Sequence, residues 1–326
     1  MSSFKIYLKI GICTFCSEPA IIFRKSSQKK LCIDCFIKEI EAKISKTISK
    51  YHLFKKKDKI VVGLSGGKDS MTLLHYLNIL YKDGELSKPI TALIIDEGIK
   101  GYRNRSVALG KKFCKKNDIN FKIISFKERI GKSIDEIFLL KNKLENSRYL
   151  CNYCAIFRRR LLNEGVKELG GTVLALGHNL TDISETFIMN ILHNRLGLIS
   201  GQNPEKISQT KFKSIFPKRI KPLMEIPEED IFLYINIKQI PYYPSHCPYS
   251  VKEPILRRRV LNFIQDCKQD LPEIESNLYN DLVLLSKLHF TGDEKTLKDC
   301  VKCGYPSKQD ICIFCKFKSI VLNIQK

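Results

Sequence analysis

Cysteine is the residue type with the clearest chemical potential in this 326-residue sequence, which contains 13 of them. Ten stand in C-x-x-C pairs: Cys13/Cys16, Cys32/Cys35, Cys151/Cys154, Cys300/Cys303 and Cys312/Cys315. Random placement would give about 0.5 such pairs, so this spacing indicates metal or thiol chemistry. The N-terminal segment has no long apolar stretch of a secretory signal, and we therefore do not expect a disulfide scaffold.

The two ends of the chain each carry four cysteines in two pairs, within residues 13–35 and 300–315. A C-x-x-C turn directs two thiolates to one ion, and two such turns complete a tetrahedral zinc site. Segments this short bury too little surface to fold alone, so bound metal would supply their folding energy. The pattern predicts two structural Zn²⁺ ions, and redox-active cysteine pairs are the alternative.

The pair Cys151/Cys154 lacks a second pair, and Cys247 follows almost a hundred residues later in a proline-rich segment. Three thiolates do not complete a structural zinc site, but they suit an iron–sulfur cluster with one iron left open. A helix start beside Arg158 would also lower the pKa of the paired thiols and favour persulfide or disulfide chemistry. Inert thiols, or a zinc ion completed by His246, are further alternatives. Two cysteines without a partner at motif spacing are predicted packing residues, Cys114 and Cys267.

A phosphate-binding loop is predicted at Ser65-Gly-Gly-Lys-Asp-Ser70, which follows a β-branched segment and opens a helical one. Two glycines let backbone amides turn toward an anion, and the helix start adds a partial positive charge. Lys68 adds a full charge. The spacing differs from the GxxxxGK[ST] loop of kinases and GTPases.

Predicted strands and helices alternate around this loop. The strands are 59–65, 90–95, 120–125 and 172–177, and helices follow the loop to residue 81 and at 104–116, 133–145, 155–169 and 181–193. This alternation predicts an α/β fold with a parallel sheet, helices on both faces and ligands at the carboxyl ends of the strands. The predicted domains are a zinc ribbon at 1–45, a nucleotide-binding domain with a helical C-terminal part at 46–290, and a zinc ribbon at 291–326.

Positive charge dominates the sequence, with 56 Lys and Arg against 34 Asp and Glu, a net charge of +22. Such a balance indicates a polyanionic partner, most often nucleic acid, although a lysine-rich composition alone is the plainer explanation. Basic residues cluster at 158–160, 211–221 and 257–259. Four aromatic residues are predicted either to stack on a base or to lie in the core: Phe212, Phe216, Tyr242 and Tyr243. No apolar stretch is long enough for a membrane-spanning helix.

The sequence resembles the PP-loop ATP pyrophosphatases, whose signature is SGGKDS. Residues 92–98, ALIIDEG, resemble the second-strand segment that borders the adenine in that family, and 176–185, LGHNLTDISE, resemble its fourth-strand motif. There Asp182 would face the nucleotide or a metal, and the alternative is a helix-capping carboxylate. The order ribbon, PP-loop core, three cysteines and ribbon resembles the tRNA 2-thiouridine synthetases of the TtuA type.

This resemblance implies an enzyme that adenylates the C2 oxygen of a tRNA uridine, releases pyrophosphate and replaces that oxygen with sulfur. It implies ATP, Mg²⁺ and a [4Fe–4S] cluster on Cys151, Cys154 and Cys247. The implied ATP-binding residues are Leu64, Ser65, Gly66, Gly67, Lys68, Asp69, Ser70, Ile95, Asp96, Arg158 and Gly177. Catalytic roles are implied for Lys68, Asp69, Asp182 and the three cluster cysteines. His178 is a loop histidine, and a catalytic role for it is a weaker expectation.

The resemblance also implies a ubiquitin-like sulfur-carrier protein or sulfide as donor, a cytoplasmic location, and a homodimer or pairing with a homologue. Two other classes of protein remain as alternatives. A PP-loop amidotransferase or lysidine-type ligase would use the loop without the three cysteines. A non-enzymatic zinc-ribbon RNA-binding protein would have no use for SGGKDS.

Overall fold

The computed structural model describes residues 10–140, 150–202, 216–249, 255–288 and 297–323. In chain order the elements are β1 (Ile22–Arg24), β2 (Lys29–Leu31), α1 (Ile33–Lys50), β3 (Ile60–Gly63), α2 (Lys68–Lys82), β4 (Thr91–Asp96), α3 (Arg103–Lys116), β5 (Asn120–Ser125), α4 (Phe126–Ile130), α5 (Ile134–Leu139), α6 (Leu150–Glu168), β6 (Val173–Ala175), α7 (Leu180–Leu192), α8 (Gly197–Ser200), β7 (Lys218–Ile220), α9 (Glu228–Ile237), α10 (Ile255–Asp270), α11 (Ile274–Lys287), β8 (Lys298–Asp299), β9 (Pro306–Ser307) and α12 (Ile313–Asn323).

A five-stranded parallel sheet in the order β5-β4-β3-β6-β7 lies at the centre. Ile60 and Val62 of β3 pack into a core on one face, whereas Val61 between them packs into a second core on the other face. Successive side chains of a strand point to opposite faces, so a strand buried on both sides needs an unbroken apolar sequence. The predicted α/β class with a parallel sheet is therefore confirmed.

The order in which strands are added to the sheet reverses between β3 and β6. The first three strands extend to one edge, and β6 and β7 extend to the other. In such sheets a crevice opens at the carboxyl ends of the two strands at the reversal. SGGKDS follows β3 and the segment LGHN follows β6, so both motifs stand at this crevice.

The four predicted strands are present within one or two residues of their predicted bounds, but β7 was not predicted. Its Lys-Arg-Ile sequence lacks the apolar pattern of a buried strand, since it lies at the sheet edge. The helix predicted at 133–145 begins within one residue of its predicted start, as α5 capped by Ser133, but α5 already ends at Leu139, and the short helix α4 before it was not predicted. Residues 141–145 lie outside the described part of the chain.

Each end of the chain forms a small cysteine-rich unit against the central layers. The hairpin of β1 and β2 leads into α1, whose buried Phe36, Ile40 and Ile44 join the larger core. At the other end, α12 packs on α6, where the rings of Phe317 and Tyr153 lie 4.4 Å apart. The three-domain division stays a prediction. Among the described helices, none is long and apolar enough to cross a membrane.

Candidate active site

The loop between β3 and α2 is held in one shape by its own hydroxyl groups. The Ser65 amide donates to Ser70 Oγ at 3.2 Å, and Ser70 Oγ donates to the Gly67 carbonyl at 3.1 Å. Gly66 has φ of +85°, and a Cβ there would lie 2.7 Å from the Ser106 carbonyl oxygen. Only glycine fits that conformation and that approach. The loop is thus preorganised at the start of a helix, where an anion is favoured.

Lys68, the first residue of α2, lies between two carboxylates. Its Nζ is 3.1 Å from Asp69 Oδ2 and 2.5 Å from Glu228 Oε1. Burial opposes the charge of Lys68, but Asp69 and Glu228 outweigh it and raise the pKa of the ammonium group. Burial raises the pKa of Asp69 despite the attraction of Lys68. The cation that the loop offers to a phosphate is therefore charged and already positioned.

Gly177 lets the segment after β6 approach the loop closely. A Cβ at this position would lie 2.9 Å from both Asp69 C and Ser70 N. Asn179, two residues on, donates from Nδ2 to Asp69 Oδ1 at 3.0 Å. The SGGKDS loop and the segment after β6 therefore touch through their backbones. This agrees with their common position at the crevice.

Asp182 has a structural contact on each of its oxygens. Its Oδ2 accepts from the Asn179 amide at 3.2 Å, completing a capping box at the start of α7. Its Oδ1 accepts from Arg257 at 3.2 Å, and the same guanidinium meets Glu185 at 2.7 Å. Burial raises the pKa of Asp182, against the attraction of Arg257. The capping alternative is thus observed, while a role toward nucleotide or metal stays a prediction.

The other residues implied for ATP lie beside the loop. Leu64 and Ile95 are buried, and the Leu64 amide donates to Leu93 O at 2.8 Å. Asp96 ends β4 and accepts from the Gly98 amide at 2.9 Å. The structure places these residues around the crevice, and their contacts with a nucleotide stay predictions.

Cys151 and Cys154 are the second and fifth residues of α6, as predicted for a pair that opens a helix. Arg158, one turn on, donates from Nη2 to Cys154 Sγ at 3.1 Å, so the two side chains lie on the same side of α6. Cys154 interacts electrostatically with both Cys151 and Cys247. The three sulfurs are not all within 4.8 Å of one another, unlike the terminal sets. Three thiolates that interact with one another are the type of ligand that iron–sulfur clusters use, so these residues suit such a group.

The predicted low pKa of the Cys154 thiol is wrong. Burial raises it to about 12, and the attraction of Arg158 does not offset that effect. The helix start and the arginine were the visible sequence signals, whereas desolvation depends on the packed fold. His246 is exposed, and it joins no metal-binding group among the described residues.

The terminal cysteines form two compact four-sulfur sets, one from each predicted ribbon: Cys13, Cys16, Cys32, Cys35 and Cys300, Cys303, Cys312, Cys315. Within each set all sulfurs lie within 4.8 Å. Backbone amides also donate to the sulfurs, for example Cys35 N to Cys32 Sγ at 3.4 Å. Hydrogen bonds with neighbouring sulfurs raise the pKa of Cys35 to about 12. A divalent cation would relieve this crowding of thiols, and four sulfurs suit zinc.

Glu97 and Arg103 are site residues that the sequence reasoning did not single out, and the contact of Tyr243 with the loop was not predicted. Glu97 follows β4, is buried, and lies 2.6 Å from the Nε atoms of both Arg103 and Arg158. Arg103 in turn donates to the Ser65 carbonyl of the loop. The Tyr243 amide donates to Gly66 O at 2.8 Å, four residues before Cys247. The available signal was an acidic residue directly after a strand end, in DEG.

A cluster of cations surrounds His178 at the ends of β6 and β7. Arg219 donates to Arg159 O and to Asn163 Oδ1, and Lys221 follows β7 directly. Burial lowers the pKa of Lys221, and it lowers that of Arg219 to about 10. Desolvation and then the charge of these cations lower the pKa of His178 to about 3, so the imidazole is neutral at pH 7. Within the described residues, no carboxylate forms an ion pair with Arg159, Arg219 or Lys221.

The predicted aromatic residues divide between packing and the surface. Tyr242 packs against the larger core, and Tyr243 contacts the loop and the Tyr102 ring. Phe216 meets the Tyr305 ring at 5.2 Å, beside a cavity of about 440 Å³ between α6 and the C-terminal ribbon. Phe212 and the basic residues of 211–215 lie outside the described part of the chain. Cys114 is buried in the core, as predicted, and Cys267 is half-buried.

The sequence is similar to those of known proteins. Residues 37–264 match the PP-loop domain model, and 12–37 match that of the N-terminal LIM domain of 2-thiouridine synthetase TtuA. The chain belongs to the PP-loop family of tRNA 2-thiouridine synthetases. A probable sulfurtransferase of Methanocaldococcus jannaschii is 33% identical over 95% of this chain and 87% of its own length. The cytoplasmic tRNA 2-thiolation protein 1 of Aspergillus niger is 31% identical over 93% and 86%.

A solved structure extends the similarity to three dimensions. The U34-tRNA thiolase NcsA from Methanococcus maripaludis, described with its [4Fe–4S] cluster, superposes with a TM-score of 0.80 at 30% identity. The match covers 98% of this chain and 99% of that one. The PP-loop fold and family expected from SGGKDS and the terminal cysteine sets are thereby confirmed.

Proposed function

We propose that this family member is a tRNA sulfurtransferase that makes 2-thiouridine at the expense of ATP. The observation that carries the proposal is a continuous set of contacts between the cysteines and the nucleotide loop. Arg158 contacts Cys154 and Glu97, and Glu97 contacts Arg103, which donates to the loop. Relatives named for tRNA 2-thiolation support the reaction class. By similarity to the uridine-34 thiolase, we take the wobble uridine as the substrate.

In the first step the uridine C2 oxygen attacks the α-phosphorus of ATP, pyrophosphate leaves, and the N3 proton is released. Backbone amides of residues 65–70 and Lys68 would stabilise the charge on the phosphates. The carboxylates of Asp69 and Asp182 would hold Mg²⁺, which would offset the remaining phosphate charge. Hydrosulfide sulfur then adds at C2, AMP leaves with the oxygen, and the hydrosulfide proton restores N3–H.

The cysteines Cys151, Cys154 and Cys247 would hold a [4Fe–4S] cluster, whose fourth iron supplies a binding position for exogenous sulfur. Arg158 would keep the Cys154 sulfur oriented, and its exposed side would face the substrate phosphates. The terminal sets would hold two zinc ions that fold the ribbons without taking part in chemistry.

The cations around His178 would bind tRNA phosphates, which position RNA without reading its sequence. A ubiquitin-like carrier with a C-terminal thiocarboxylate, or sulfide itself, would deliver the sulfur. We place the protein in the cytoplasm, as a homodimer or paired with a homologue. The names of eukaryotic relatives support the location.

The test is thiolation by anaerobically purified protein supplied with tRNA, ATP and sulfide, with nucleosides measured by mass spectrometry. We expect Cys247→Ser to lose 2-thiouridine formation and iron while binding ATP normally. Cys267→Ser, a half-buried cysteine outside the three, is the matched control and should remain active. If the unmodified protein forms no 2-thiouridine, and Cys151→Ser retains full ATP-dependent pyrophosphate release with tRNA, the result would instead favour a PP-loop ligase that adds nitrogen. Active iron-free protein would favour a disulfide between two of these cysteines, which sulfide opens to one persulfide and one thiol.

A further inference from the structure

One buried carboxylate joins the two halves of the site. Glu97 Oε2 lies 2.6 Å from Arg103 Nε, and Glu97 Oε1 lies 2.6 Å from Arg158 Nε. The side chains of Glu97 and Arg103 are each only 4% exposed, whereas Arg158 is 49% exposed. A carboxylate buried this deeply is stable only when each oxygen has a charged or hydrogen-bonding partner.

The first arm runs from Glu97 to the nucleotide loop. Arg103 opens α3 and donates to the carbonyl oxygens of Ser65 and Ile95, and to Ser106 Oγ at 3.0 Å. Ser106 O is also the atom that a Cβ at Gly66 would strike. Arg103 therefore fixes the backbone on which the loop amides stand, and Glu97 fixes Arg103.

The second arm runs from Glu97 to the cysteines. Arg158 uses Nε for Glu97 and Nη2 for Cys154 Sγ, at 3.1 Å. Its half-exposed side chain would be free to move if that anchor were absent. Because an arginine side chain is always charged in a protein, Glu97 anchors a permanent cation beside the sulfur.

We propose that Glu97 is a positioning residue for the sulfur-transfer reaction, holding the nucleotide loop through Arg103 and the Cys154 sulfur through Arg158. The inference rests on the proposed function but concerns this chain's own side chains. A single charge would thus keep the phosphate-binding and sulfur-binding halves of the site in one fixed relation. Groups that act on one reacting centre lose rate steeply when their spacing changes.

Glu97→Gln tests this relation, because glutamine keeps the shape and removes the charge. Two measurements are made on cluster-free protein: the ATP dissociation constant, and the rate of Cys154 alkylation by iodoacetamide, followed by peptide mass spectrometry. We expect ATP binding to weaken roughly tenfold, the usual effect of losing a charged hydrogen-bond partner. We expect Cys154 alkylation to slow at least severalfold, because an unanchored Arg158 no longer donates to the sulfur or holds it in place.

Arg103→Lys separates the arms. Lysine keeps a positive charge opposite Glu97 but has no fork to reach Ser65 O and Ile95 O together. We expect weaker ATP binding with an unchanged Cys154 alkylation rate. If Glu97→Gln protein does not fold, the Arg103→Lys variant decides. Weaker ATP binding with an unchanged Cys154 alkylation rate supports the proposal, and no change in either measurement overturns it.

Glu168→Gln is the matched control. Glu168 also bridges two cations, Lys122 at 2.7 Å and Arg129 at 2.6 Å, but at the far end of α6. It should change neither measurement. The proposal is overturned if Glu97→Gln leaves both measurements unchanged or speeds alkylation, since Arg158 would then hold its place without the carboxylate. It is equally overturned if all three variants change both measurements in proportion to their lost thermal stability. Neither measurement needs tRNA, so failure of the thiolation assay is a separate result.

Discussion

Replacing Gly177 by alanine should disable nucleotide binding through a single methyl group. The residue lies after β6, against the backbone where α2 begins. Its φ is not in the left-handed region, so alanine suffers no backbone strain there and the whole effect is steric. The site offers no flexible side chain that would move aside, because the atoms in the way belong to the Asp69–Ser70 peptide.

The size of the effect follows from three distances. The added Cβ would lie 2.9 Å from Asp69 C, 2.9 Å from Ser70 N and 3.0 Å from Asp69 O, whereas ordinary contact begins at 3.4 Å. The two segments must therefore separate by roughly half an ångström. Overpacking of this kind costs about 1–3 kcal/mol of unfolding free energy. The same backbone carries the loop amides, and about 1.4 kcal/mol corresponds to a factor of ten in affinity, so we expect roughly tenfold weaker ATP binding.

The assay is isothermal titration with ATP, together with thermal unfolding and zinc content. Gly197→Ala is the control, because a Cβ at Gly197 meets nothing within 4 Å and its φ is ordinary. Gly177→Ala should weaken ATP binding and lower Tm by a few degrees, with zinc content unchanged. If it binds ATP as tightly as the Gly197→Ala protein, the close approach of the two motifs does not shape the nucleotide site.

Three further predictions follow from the same structure. Lys68→Ala or Asp69→Ala should abolish ATP-dependent thiolation with tRNA affinity nearly intact, because RNA binding is spread over many cations; normal thiolation by both would place the nucleotide elsewhere. Elemental analysis should find two zinc ions per chain, and chelation that removes them should unfold the ribbons; fewer than about one per ribbon would contradict the closed sites. Lys221→Ala should weaken tRNA binding and reduce its salt slope by about one, with Lys116→Ala on exposed α3 as control; weaker ATP binding with an unchanged salt slope would assign Lys221 to nucleotide phosphates.

The parts of the site that could be predicted from sequence are those with a local cause. SGGKDS needs only a strand before it and a helix after it, and the C-x-x-C spacing alone brings two sulfurs together. Glu97 has no such local cause, because its importance comes from Arg103 and Arg158, which the fold brings to it from two different helices. For the Cys154 thiol, the local sequence led to a wrong prediction. Its local sequence favoured a low pKa, and burial by the tertiary structure reversed that.

The five C-x-x-C pairs show how one local motif acquires different chemistry from its surroundings. At each end of the chain a second pair closes a four-sulfur set, so a bound ion would have no open position. On α6 the pair has no second pair beside it among the described residues, and it interacts instead with Cys247, in a segment held at both sides. The Tyr243 amide holds Gly66 O, and the Tyr249 hydroxyl donates to Asp135 Oδ1 at 2.7 Å. Because the first fastening is the nucleotide loop itself, the third sulfur is positioned by the same backbone that would bind ATP, and sulfur and phosphate chemistry share one scaffold.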